Sequence, residues 1–121
     1  MQLPGSERSH SLLPVHWTVA DGLARLPGPA GERFATLFRH GTLSIELYAP
    51  RGQDPQAPHA QDELYVVVTG HGTFRCAGRQ VGFGPGDLLF APAGAEHRFE
   101  GFSEDLVVWV VFYGPPGGER P

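Results

Sequence analysis

Glycine and proline break this chain into pieces of strand length. Seventeen glycines and twelve prolines are spread over 121 residues, and the longest apolar run, Leu106 to Tyr113, is no longer than a strand. Glycine weakens a helix interior and proline breaks it. The pattern therefore predicts many short strands joined by tight turns. Leu43, Ile45 and Leu47 alternate with Ser44, Glu46 and Tyr48, and that period of two marks a strand with two distinct faces. Leu64 to Thr69 is almost wholly apolar, as in a strand covered on both sides. Further strands are expected over Phe34–Arg39, Thr73–Cys76, Gln80–Phe83, Leu88–Ala91, His97–Glu100 and Leu106–Tyr113, with a hairpin around Ala77-Gly78. His16–Val19 reads as a short strand, and Asp21–Leu26 as one helical turn with Asp21 at its N-cap. The whole reads as one all-β domain with little helix, a small antiparallel barrel or jelly roll. Its core barrel is expected over about 34–113, with an N-terminal arm at 1–13 and a flexible tail at 114–121.

Composition narrows the partners. Hydrophobic residues make up 40% of the chain, enough for a packed core, and the net charge is −4 with no cluster of Lys or Arg. A nucleic-acid partner would favour a basic patch. No stretch approaches the ~18 apolar residues of a membrane-spanning helix. Met1 to His10 carries Glu7 and Arg8 and no apolar centre, unlike a secretory signal. Cys76 is alone, which excludes an internal disulfide and points to a reducing, cytoplasmic location.

The chemistry gathers at His59, Glu63 and His97. Two imidazoles and one carboxylate form a recognised ligand set for a divalent first-row metal that keeps open positions. His59, Gln61 and Glu63 share one face of an extended segment. Four residues of straight strand span ~13 Å, too far for one ion, so the chain must bend before Leu64. His97 is expected to come from a neighbouring strand, aimed by the turn Pro92-Ala93-Gly94-Ala95. Gln61 is a further candidate, as a direct ligand or as a contact to water or substrate.

The same residues carry a resemblance to the cupin superfamily, and to its small single-domain bacterial members. The second cupin motif is matched at every spacing by Gly86, Pro92, Gly94 and His97, with Gly101 in place of the closing Asn. The first motif is matched by His59, Glu63 and Gly70, while its first His position falls on Ala57. Fifteen residues, His71 to Pro85, separate the two motifs. The resemblance covers about Phe34 to Tyr113. It implies a double-stranded β-helix, or jelly-roll, barrel and one divalent ion (Fe, Mn, Ni or Zn) held by His59, Glu63 and His97. A small-molecule ligand is expected inside the barrel, near Glu46, Tyr48, Tyr65, Val67 and Phe99. A homodimer is the expected assembly, with no nucleic acid and no membrane. Two functions remain open: a metal-dependent dioxygenase or isomerase acting on a small oxygenated molecule, and a non-catalytic small-molecule-binding or structural cupin.

Overall fold

The computed structural model describes residues 14–121, so the arm expected at 1–13 lies outside the described residues. Its one described helix, α1, spans Val19–Leu23. Eight strands follow: β1 Phe34–His40, β2 Leu43–Tyr48, β3 Asp62–Thr69, β4 Gly72–Cys76, β5 Arg79–Phe83, β6 Leu88–Ala91, β7 His97–Glu100 and β8 Val107–Tyr113. They form two antiparallel sheets, one ordered β1-β2-β8-β3-β6 and the other β5-β4-β7. This is the jelly-roll barrel expected from the strand pattern.

The start of the chain departs from expectation. His16–Val19 is not a strand, because Val19 already opens α1. The N-cap is Thr18 rather than Asp21. The Thr18 hydroxyl accepts from the Asp21 N–H at 3.1 Å, and the Asp21 carboxylate accepts from the Thr18 N–H at 2.9 Å. Two otherwise unpaired donors are satisfied by this reciprocal box, which fixes the helix start three residues early. α1 lies on the outer face of the five-stranded sheet. A Cβ at Gly22 would stand 2.5 Å from Leu47 Cδ2, so only glycine permits that approach.

Inward-facing residues fill the barrel. Tyr65, Val67, Phe74, Phe83, Phe99, Val108 and Val110 belong to one buried cluster. Phe99 is its hub, with ring centroids 5.0 Å from Tyr65, 5.2 Å from Phe74 and 5.4 Å from Phe83. Such tilted and edge-on aromatic pairs each add about 0.5–1.5 kcal/mol beyond burial. A second cluster lies outside the sheet, where Leu47, Ala49 and Val107 pack with Val19, Leu26, Val68 and Trp109. The apolar face of β2 thus points outward under α1, and its polar face, Ser44, Glu46 and Tyr48, lines the interior.

The C-terminal segment is tied down. Gly117 N–H donates to the Ala60 carbonyl at 2.7 Å, and Glu119 N–H donates to the Asp62 carboxylate at 2.8 Å. Residues 114–121, expected as a flexible tail, are therefore held against the segment that enters β3.

Candidate metal centre

Three parts of the chain meet at one end of the barrel. Glu63 is the second residue of β3 and points inward. His97 opens β7, and His59 stands in the loop before β3. Among the described residues β7 pairs only with β4, so His97 faces Glu63 from the opposite sheet instead of from a neighbouring strand. The bend required before Leu64 is present, because His59 lies outside the strand and its Nε2 is 3.9 Å from Glu63 Oε1. His97 Nε2 is 2.8 Å from the same oxygen. Ligand atoms of all three residues lie within 4.8 Å of one another.

The loop is held in place by hydrogen bonds at successive residues. The Pro92–Ala95 turn donates Gly94 N–H to the His59 carbonyl at 2.8 Å and Ala93 N–H to Asp62 Oδ1 at 2.8 Å. Gly94 has φ of +77°, a conformation that favours glycine. Adjacent strand residues face opposite ways, so Asp62 points at the turn and the tail while Glu63 points at the site. The Gln61 amide nitrogen donates to the Thr42 carbonyl at 2.8 Å and the Gly114 carbonyl at 2.9 Å. Its two N–H groups are committed to the scaffold. A second network anchors the loop from inside. Asp54 accepts from Tyr48 OH at 2.6 Å, Gln56 Nε2 at 2.8 Å and Phe99 N–H at 2.8 Å. Tyr65 OH donates to Gln56 Oε1 at 3.0 Å.

The electrostatics fit a cation. Glu63 and His97 side chains are each 1% exposed. His97 Nδ1 lies 3.0 Å from the Ala95 carbonyl. Donation there leaves the Nε2 lone pair facing Glu63. Among the described residues, Glu63 Oε2 and His97 Nε2 are buried without a hydrogen-bond partner. Two buried lone-pair donors left this way are costly, and a shared cation satisfies both. Donors bound to one ion at ~2.1 Å stand ~3.0 Å apart when adjacent and ~4.2 Å apart when opposite. The 3.9 Å separation lies inside that range and the 2.8 Å separation just below it. Burial works to lower the His97 pKa, but the Glu63 carboxylate, the Ala95 carbonyl and the Asp54 charge outweigh it and raise it above the ordinary value.

A cavity of about 400 Å³ opens beside the group, lined by Arg39, Ser44, Glu46, Tyr48, His59 and Phe112 among others. The expected cavity residues separate into two sets. Glu46 lines this opening, Tyr65, Val67 and Phe99 lie in the packed cluster, and Tyr48 belongs to both. Burial, and secondarily the Glu63 charge, push the Glu46 carboxyl above its usual range, against the Thr36 hydroxyl and Arg39. Ala57, at the vacant first-motif position, lines a second depression of about 830 Å³ together with Pro58, Arg75, Glu96 and His97. The sequence reading missed Arg39, Asp54, Gln56 and Asp62. The Asp62-Glu63 pair at a strand entry was the one legible hint, since one of two adjacent carboxylates must face away from the barrel.

Residues 44–113 match the family described as Cupin domain, and the chain belongs to that family. An uncharacterized protein of Streptomyces coelicolor is 38% identical over 84 residues, spanning 68% of this chain and 80% of that protein. A Ralstonia eutropha protein provisionally named mannose-6-phosphate isomerase has a similar structure, with 28% identity and a TM-score of 0.62 over 84% of this chain and 100% of that one. A Rhizobium leguminosarum protein of unknown function aligns at 25% identity and a TM-score of 0.60, over 86% of this chain and 100% of that one.

Proposed function

We propose that this cupin binds one divalent first-row ion at His59, Glu63 and His97 and acts as a metal-dependent dioxygenase or isomerase on a small oxygenated molecule. The observation that carries this reading is the pair of buried, unpartnered atoms, Glu63 Oε2 and His97 Nε2, within a group whose ligand atoms converge. Such an ion, when bound, supplies Lewis acidity, or redox chemistry if it is Fe or Mn. The chain supplies the rest. His97 is oriented by the Ala95 carbonyl, and Glu63 is shielded from water by burial. His59, 39% exposed, forms the side of the group that faces the cavity. Phe112 packs edge-on against His59 at 4.9 Å and limits its swing. The name of the Ralstonia protein favours the isomerase branch.

The test is metal analysis of protein purified without chelator, followed by oxygen uptake with small diols and enols. About one bound Fe, Mn, Ni or Zn per chain is expected. Neither retained metal nor measurable affinity for any of the four would leave the non-catalytic binding or structural reading. That alternative has its own observation. The outer sheet face carries Val66, Leu88 and Phe90 at 37%, 64% and 47% exposure, an apolar patch of the kind that marks protein contacts. We place a homodimer contact there, at the β3–β6 end, because Val107 and Trp109 already pack under α1. A monomeric sedimentation profile at micromolar concentration would remove it.

A further inference from the structure

β1 carries an irregularity that redirects one side chain. Phe34 pairs with Tyr48, Ala35 with Leu47 and Thr36 with Glu46, but the register then shifts, so that Phe38 pairs with Ile45 and Arg39 with Ser44. Leu37 is the extra residue. Without this bulge, with Leu37 paired in register, strict alternation would turn Phe38 inward with Thr36 and send Arg39 outward. With it, Phe38 faces outward and meets the Trp17 ring at a centroid distance of 4.6 Å. Arg39 instead lines the cavity beside Ser44 and Glu46. Bulges of this kind re-aim side chains next to functional sites.

Arg39 is therefore a cation turned toward the candidate metal centre. The cross-strand row runs from Arg39 to Ser44, Phe112 and Glu63. Three strand spacings put the end Cα atoms about 15 Å apart or less. Among the described residues Arg39 makes no ion pair within 4.0 Å. A guanidinium with free donors binds a carboxylate in a forked, two-bond geometry.

We infer that Arg39 selects the substrate: a small carboxylic acid whose carboxylate pairs with the guanidinium while oxygen atoms at its other end reach His59, Glu63 and His97. A carboxylate fits better than a phosphate. One arginine faces the cavity, and Glu46 and Glu63 repel a second negative charge. The inference rests on the metal reading for the far end of the molecule, but the Arg39 end stands on the bulge and the cavity alone.

The experiment is isothermal titration of the full chain, with and without Mn²⁺, using glutarate and its dimethyl ester, which offers no carboxylate at either end. Glutarate is expected to bind about tenfold or more tightly than the ester with or without Mn²⁺, the scale of one lost charge-assisted pair. Arg39→Gln should weaken glutarate about tenfold and leave the ester unchanged, and Arg39→Lys, which keeps the charge but not the fork, should fall between. Unchanged unfolding midpoints of both variants would show that the barrel is intact. Equal binding of acid and ester to the wild type, or no binding of either, overturns the assignment of Arg39. Tighter binding of 4-phosphonobutyrate than of glutarate to the metal-free protein overturns the carboxylate class. Failure to retain Mn²⁺ sinks the metal reading instead, and the acid–ester comparison without metal then still decides the role of Arg39.

Discussion

The two ends of the barrel interior are built from the same strands and do opposite things. On β3, Tyr65 and Val67 point into the packed end and Glu63 into the open end. On β7, Phe99 belongs to the first and His97 to the second. On β8, Val108 and Val110 give way to Phe112 beside His59. Each change occurs within two residues, one step of the strand period. A strand that is stable because its inner residues pack can therefore hold polar groups at its end without losing its register. The packed end is the rigid mount, and the open end spends part of that stability on buried groups without hydrogen bonds.

The comparison breaks most visibly at Phe99. Phe99→Ala removes the hub of the aromatic cluster, and about 3–5 kcal/mol of stability should be lost, read by urea unfolding. A loss under about 1 kcal/mol would show that the packed end is not the mount. His97→Ala, two residues away, should behave in the opposite sense. Metal affinity is expected to fall by more than the about 100-fold seen for losing an outer-shell partner. Metal-free stability should change little, because the variant also removes a buried unsatisfied nitrogen. A stability loss comparable to that of Phe99→Ala would make His97 a core residue rather than a ligand.

Asp62→Ala tests whether the open end is held by its clamp. The carboxylate joins the Pro92–Ala95 turn and the C-terminal segment through the N–H groups of Ala93 and Glu119, which hold its pKa below the usual range. Its loss should weaken metal binding by about 10–100-fold while each ligand stays in the sequence. Unchanged affinity by metal titration would mean that the loop keeps its place without the clamp. The clamp's contribution should also fade as pH falls through the lowered Asp62 pKa, since it is present only while the carboxylate is ionised.

Much of this architecture was legible from residue pattern. The alternation at Leu43–Tyr48 marked β2, and the spacing of Gly86, Pro92, Gly94 and His97 marked the turn that aims His97. The need for a bend between His59 and Glu63 followed from strand length alone. What stayed hidden depends on pairing. Alternation in β2 does not say which face is inside, and the helix that covers Leu47 put the polar face there. The bulge at Leu37 has no signature in the composition of β1, so nothing in the sequence turned Arg39 toward the cavity. The opposite-sheet origin of His97 likewise follows from topology, which short strands do not encode locally. The Thr18–Asp21 box was present in the sequence as Thr-x-x-Asp, and taking Asp21 alone as the cap overlooked its reciprocal partner.

The smallest expected effect is a matter of pH at Glu46. Burial and the nearby Glu63 charge raise its folded pKa above the ordinary carboxyl value of 4.5. The folded state then binds a proton that the unfolded state has already released. Stability from this group is fully present below the unfolded pKa and is lost as pH rises through the raised folded value. Glu46→Gln keeps the shape and cannot ionise, so its metal-free stability should lack this decline. The variant and the wild type should match in acid, and the variant should be slightly more stable at neutral pH, as thermal melts across that window would read. The difference is small because Thr36 and Arg39 already offset part of the cost. A variant less stable than the wild type at neutral pH would mean that the ionised Glu46 is favourably paired in the folded chain. The polar row of β2 would then be part of the mount, and the division between the two ends would have to move outward by one residue pair.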